Sequence, residues 1–525
     1  MTTFTQSRRT WITVSEQPLL AGAIIGLLTL AISVFLAILH PPVPVLHDEF
    51  SYLLAADTFM HGRLANPPHP MWVFFESYQI NMLPTYVSKY PPMQGFALAF
   101  GRLISGQAIV GVWISLVAAC VAVYWMLRGW LTSGWAFLGG LMMPLNGMVI
   151  YSWGLSFWGG AMAMLGGALL YGAIVRLVKR PRVLESVLCG VGIGILAMSR
   201  PYEGLVASIP AAGYLFYGMF RNKEFTWGRK LSAIVLPIGL ILILTAGFMG
   251  YYNYRTTGNV TKFAYTVNNE TYLPSPLFFF MGAVPIPEYR HDIMKRAYYD
   301  FELARYEFAK TFSGFINIQK ENFKGYWKFY FPSLLPVFLF GVPFSLRDRK
   351  FQFSVLCFLF FGLSLALLLP AFPHYAAPFA AVIVLVIIKG VQPLWRWEFR
   401  GWKIGNAVVS AILVISMVGS YRNGASFIKY RDNFFNRYRD FIARELTGKG
   451  GSHLVFVRYS QFHNLHDEWV WNGADIDGQQ IVWARDMNKS ANETLIDYYK
   501  NRQVWLLETD YIPRDIPSAL KPYPR

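Results

Sequence analysis

The chain has 525 residues, 54% of them hydrophobic and 17% aromatic, with a mean hydropathy of +0.34. Values this high at this length exclude an ordinary soluble enzyme, and apolar runs of bilayer length (about 17–25 residues) recur along the whole chain. The formal charge of +17 does not indicate a nucleic-acid partner, because the cations cluster in short loops between apolar runs and form no basic face.

Eleven spans are expected, near 18–39, 107–127, 134–150, 156–175, 184–198, 203–220, 231–251, 327–345, 353–371, 376–392 and 405–421. The first is too long for a cleaved leader and lacks a small-residue cleavage site, so it reads as a retained span. With the N-terminus inside, the short inner loops carry Arg8, Arg9, Arg128, Arg176, Lys179, Arg180 and Arg182, and further clusters near 221–230, 347–350 and 396–403. The short outer segments carry only Arg63, Lys89, Arg102 and Arg200. This asymmetry predicts N-in, C-out in the inner membrane, and most of the positive charge is therefore topology. Cys120, Cys189 and Cys357 all fall within predicted spans and offer no disulfide framework.

Four regions are expected outside. The first, 40–106, opens with Pro41, Pro42 and Pro44, which stop the first span. A helical stretch from Asp48 to His61 and an aromatic, interfacial segment from Met71 to Tyr90 follow. The second is the turn Ser199–Glu203, and the third is the loop 252–326, with a predicted helix from Glu288 to Phe312. The fourth is the tail, where His453–Val457, Ile481–Ala484 and Val504–Leu507 read as strands and Asn492–Asn501 as a helix. The fold class is therefore an all-α polytopic membrane bundle of about eleven spans, residues 1–425, followed by a small α/β extramembrane domain, 426–525.

The chemistry gathers at the predicted outer face. Asp48 and Glu49 begin the first outer helix, where the dipole favours a carboxylate that can act as a general base. The same pattern also suits an N-cap followed by a solvated acid. Lys89 is placed either to bind a lipid phosphate or to snorkel. Arg200 is placed either to grip a phosphate or to pair with Glu203. Arg255, His374 and Tyr375 occupy further outer span ends and, with Lys89 and Arg200, are the candidate residues for binding a lipid phosphate. His47, Asp48 and Glu49 are the candidate ligands for a divalent cation, whose presence the sequence leaves open. His463, His466, Asp467 and Glu468 form a second local cluster that reads mainly as solvated surface. Asn269-Glu270-Thr271 and Asn492-Glu493-Thr494 match the glycosylation triplet, a weak signal.

With one span, an outer helix opening on His47-Asp48-Glu49 with Tyr52, and the closing motif Lys89-Tyr90-Pro91-Pro92, the chain resembles the GT-C glycosyltransferases over roughly residues 10–425. Within them it is most similar to bacterial relatives of protein O-mannosyltransferase and of the lipid A aminoarabinose transferase. The resemblance implies inverting transfer of a sugar from a polyprenyl-phosphate donor to a hydroxyl of a glycan, lipid or protein acceptor. Asp48 would be the base, and Lys89 and Arg200 would hold the leaving phosphate. One departure is the second outer turn, Tyr151–Ser156, which lacks the carboxylate that some members use for metal.

Competing readings are a flippase or transporter of a lipid-linked saccharide, an O-antigen ligase or polymerase, and a scaffold for the tail domain. Transporters usually place ionisable groups at the bilayer midplane. The predicted span interiors here are nearly free of them, which favours an enzyme.

Overall fold

The computed structural model describes residues 13–369, 371–432, 437–511 and 520–524. Arg8, Arg9 and Pro370 lie outside the described residues. Among the described residues, six helices are long and apolar enough to cross a membrane. They are α1 (Pro18–Leu39), α4 (Ala108–Trp130), α5 (Gly160–Lys179), α8 (Trp227–Thr257), α10 (Pro373–Trp395) and α11 (Ile404–Arg431). The pair Ser133–Met142 and Gly147–Gly154, bent by 51°, makes a seventh if it counts as one span. The expected count of eleven is thus met only in part. The other apolar runs lie on helices too short, such as α6 (Val183–Ser199), or interrupted by polar residues and proline, such as α7 (Pro201–Arg221) with Glu203 and Pro210.

The outer helix α2 (His47–Met60) follows the proline segment and packs on α3 (Met93–Ser105), which turns back against α4. Gly101 and Gly111 permit that last crossing: a Cβ on Gly111 would lie 1.9 Å from the Ala97 carbonyl oxygen. The predicted helix from Glu288 to Phe312 forms as three consecutive segments, Asp292–Lys295, Arg296–Leu303 and Ala304–Lys310. The middle segment has the wider π winding, a form enriched at functional positions. A further helix, α9 (Phe312–Tyr330), leads back to the bundle.

The tail adds α12 (Arg437–Lys449), α13 (Lys489–Tyr498) and a four-stranded sheet, after the short hairpin of β1 (Ile80–Asn81) and β2 (Val87–Ser88) in the first outer region. Strand β3 (His453–Arg458) lies at the centre, parallel to both β4 (Ile481–Arg485) and β5 (Gln503–Glu508). A short strand not expected from sequence, β6 (Leu520–Pro522), pairs antiparallel to β5. The sheet does not stand apart from the rest of the molecule. Leu454, Phe456 and Val482 share one apolar core with Phe74, Phe75, Ile80 and Met82 of the first outer region. Burial of that seam in common fixes the tail over α2, since hydrophobic burial scales with the area removed from water.

Candidate active site

Glu49 and Asp48 are neighbours in sequence but face different surroundings. The Glu49 side chain is fully buried. Its carboxylate accepts from the backbone N–H groups of Val45 (3.0 Å), Leu46 (3.1 Å) and Phe157 (3.0 Å). It is also paired with the Arg431 guanidinium at 3.0 and 3.1 Å. Arg431 in turn donates to the carbonyls of Leu155 (2.8 Å) and Val43 (3.1 Å). One ion pair thus ties the proline segment, the N-terminus of α2, the second outer turn and the last span together. With both oxygens committed, Glu49 has no free lone pair aimed at a substrate. Its expected catalytic role gives way to a structural one.

Asp48, by contrast, is 30% exposed and receives the Tyr90 hydroxyl at 2.5 Å. The His47 imidazole Nε2 lies 3.5 Å from the same oxygen, beyond hydrogen-bond range. The hairpin delivers Tyr90: Ser51 of α2 bonds to Ser88 (2.7 Å) and to the Gln79 carbonyl (2.6 Å), which fixes β2 against the helix. The Tyr52 ring then stacks on Tyr90 at 4.6 Å. Burial and the Asp48 charge hold the Tyr90 proton on the phenol, so it stays a donor to the carboxylate.

Lys89 comes with Tyr90. Its side chain is buried, with 6% of the residue exposed. Among the described residues its ammonium has no ion pair and no hydrogen-bond acceptor. It faces the rings of Tyr265 (4.6 Å) and Tyr90 (5.6 Å). Burial lowers its pKa to about 8, opposed by the charges of Asp48 and Glu302. A buried cation supported only by ring faces is the electrostatic form of an anion site.

Arg200, between α6 and α7, makes the ion pair that was one of its two sequence readings. It pairs with Glu203 at 3.4 Å and lies over the Tyr375 ring at 4.5 Å. Tyr52 feels the charges of both Arg200 and Asp48, so the tyrosine stack joins the two. His374 packs between Trp158 (5.4 Å) and Tyr375 (4.8 Å) on the same side. Arg255 does not join this group. It is exposed and bonds to the Tyr251 hydroxyl one turn back at 3.0 Å, because α8 continues to Thr257 and turns it outward.

Two groups complete the surroundings, Glu302, which the sequence did not single out, and His466, which it placed in the second local cluster. Glu302, on the π-wound segment, senses Lys89, His47 and Asp48, and burial raises its pKa. His466, from the tail, stacks on His47 at 5.8 Å. The rest of the second cluster is structural: His463 bonds to Asp510 and Asp467, and Glu468 pairs with Arg485 at 2.9 Å. Among the described residues, no three His, Cys, Asp or Glu side chains are placed to hold a metal ion. The candidate set of His47, Asp48 and Glu49 does not converge, because Glu49 turns to Arg431.

No protein-family model and no curated protein sequence matches the chain. Solved structures do. Apo ArnT from Cupriavidus metallidurans is similar at 12% identity and TM-score 0.52, over 95% of this chain and 93% of that one. The same protein bound to undecaprenyl phosphate gives 12% identity and TM-score 0.51, over 93% and 92%. The oligosaccharyltransferase of Archaeoglobus fulgidus complexed with zinc and sulfate gives 12% and 0.49, over 92% and 67%. The architecture of this chain is therefore the fold seen in ArnT.

Proposed function

We propose that the protein is a membrane glycosyltransferase that moves a sugar from a polyprenyl-phosphate donor to an acceptor hydroxyl, with inversion, at the periplasmic face of the inner membrane. The observation that carries this reading is the buried, unpaired Lys89 ammonium adjoining a tyrosine-held Asp48, on a fold that ArnT uses with undecaprenyl phosphate bound. The acceptor oxygen attacks the anomeric carbon and its proton passes to the Asp48 carboxylate. The bond from the anomeric carbon to the phosphate oxygen breaks, and the lipid phosphate leaves with the electron pair.

Lys89 and Arg200 supply the charge that this leaving group requires, so no second acid is needed to protonate it. His374 and Tyr375 line the donor side next to Arg200. Tyr90 orients the base through its hydrogen bond. The N-in, C-out orientation rests on the loop charges, and it puts α2, the hairpin and the tail on the periplasmic side.

The test is an assay of purified protein in nanodiscs with radiolabelled polyprenyl-phosphate sugars and a membrane-glycan acceptor fraction. Label appearing in the acceptor supports the reading. Label that crosses the bilayer while still attached to lipid supports the flippase instead. Transfer only from pyrophosphate-linked oligosaccharides supports the ligase or polymerase.

A further inference from the structure

The polar groups around Asp48 divide into two sides. Lys89, Arg200, His374 and Tyr375 belong to the cationic side already given to the donor. The other side is closed by the π-wound segment Arg296–Leu303 and by the tail loop that carries His466. Arg296 fastens the two, donating to the carbonyls of Ser460 (3.3 Å) and His463 (3.0 Å). Rings then run around the gap: Phe301 meets His466 at 6.0 Å, His466 stacks on His47, His47 meets Tyr78 at 5.5 Å, and Tyr78 meets Tyr298 at 5.9 Å.

Three polar groups in this ring have unused hydrogen-bonding capacity. The His47 Nδ1 is buried without a partner. Among the described residues, neither the His466 imidazole nor the Glu302 carboxyl has a hydrogen bond or an ion pair. His466 lies against His47, the residue before Asp48, and Glu302 follows Phe301, whose ring meets His466. Buried polar groups are normally satisfied within the fold, so the orphaned His47 Nδ1, with the half-exposed His466 and Glu302 beside it, calls for an outside partner.

We propose that His47, Glu302 and His466 form the subsite for the acceptor, and that it takes an uncharged, hydroxyl-bearing group, such as a neutral sugar residue, in preference to a phosphorylated one. This rests on the glycosyltransferase reading above. A carboxylate and two imidazoles can accept and donate several hydroxyl hydrogen bonds, while the flanking rings pack against the C–H face of a sugar. Burial and the His47 charge hold His466 toward its neutral form, so it adds no cation for a phosphate. An anionic acceptor would face Asp48 and Glu302 together; of the nearby cations, Lys89 is given to the donor, Arg296 is committed to backbone carbonyls, and Arg305 lies one turn along beside Glu302.

The experiment uses full-length protein in nanodiscs, the labelled polyprenyl-phosphate donor, and two acceptor probes, octyl glucoside and octyl glucoside 6-phosphate. Wild type should prefer the neutral probe by about tenfold or more in kcat/KM, the scale of one charge-assisted hydrogen bond. Glu302→Gln and His466→Asn should each raise the acceptor KM by about five- to tenfold. Donor KM should not move, which also shows that the variants are folded. Glu302→Arg should narrow or reverse the preference. A wild type that favours the phosphorylated probe overturns the subsite, as do substitutions that raise donor KM and leave acceptor KM alone. A wild type that binds donor but transfers to no hydroxyl defeats the glycosyltransferase reading itself, and the subsite with it.

Discussion

Two ionic regions lie one residue apart at the start of α2, and they differ in how fully they are satisfied. Around Glu49, two carboxylate oxygens receive three backbone N–H groups and a buried guanidinium, and that guanidinium is itself shared with two carbonyls. Around Asp48, one oxygen receives one phenol, and among the described residues a neighbouring ammonium has only ring faces and two further side chains have no hydrogen bond or ion pair. The saturated region has nothing left to offer a substrate, and changing it should cost structure. The unsaturated region contributes little to holding the fold, and changing it should cost function.

The widest predicted separation is between Asp48→Asn and Glu49→Ala. The first should lower transfer by about 10²- to 10⁴-fold, the range for loss of a general base, with the thermal midpoint unchanged. The second leaves Arg431 buried without its partner, which costs about 3–5 kcal/mol. It should appear as a large fall in the unfolding midpoint, with activity lost in proportion to folded protein. Equal midpoints for the two variants would erase the contrast.

Next in size is Lys89→Met, which keeps the stem and removes the charge. Donor KM should rise by about 10- to 100-fold, the scale of a hydrogen bond to a charged group, with acceptor KM little changed. A smaller effect follows from the depressed Lys89 pKa of about 8. The ammonium is present below that value and lost above it, so donor KM should climb as pH rises from about 7 to 9. In Lys89→Arg, whose side chain stays charged, that climb should flatten. The smallest effect is assigned to Arg255→Ala, which removes only an exposed contact to Tyr251. Donor KM within about twofold of wild type is expected, the surface-substitution range; a rise matching that of Lys89→Met would place Arg255 in the site after all.

The same contrast explains what the sequence made legible. Asp48, Lys89, Arg200, His374 and Tyr375 all lie where a predicted span meets the outer side, so topology alone gathers them at one level. The hidden partners lie far along the chain. Arg431 is 382 residues from Glu49, and nothing in local pattern says that a cation at the end of α11 reaches back to α2. Glu302 and His466 sit in the 252–326 loop and in the tail, and His466 reaches His47 because the sheet buries its face against the first outer region. Arg255 was misleading for a local reason, since α8 runs through Thr257 before Gly258, at φ +77°, ends it. A helix that runs six residues past the expected end rotates its last cation away. The tail strands were legible through their apolar runs, whereas β6 is three residues long and carries no periodic signal.

The central claim is that Asp48 takes the proton from the acceptor hydroxyl while the donor is already held by Lys89 and Arg200. Single-turnover transfer from prebound radiolabelled polyprenyl-phosphate sugar, with saturating acceptor, tests it most directly because binding is complete before the clock starts. The account predicts that Asp48→Asn binds donor as wild type does and transfers sugar about 10²-fold more slowly or worse. Single-turnover transfer by Asp48→Asn within a few-fold of wild type would contradict it.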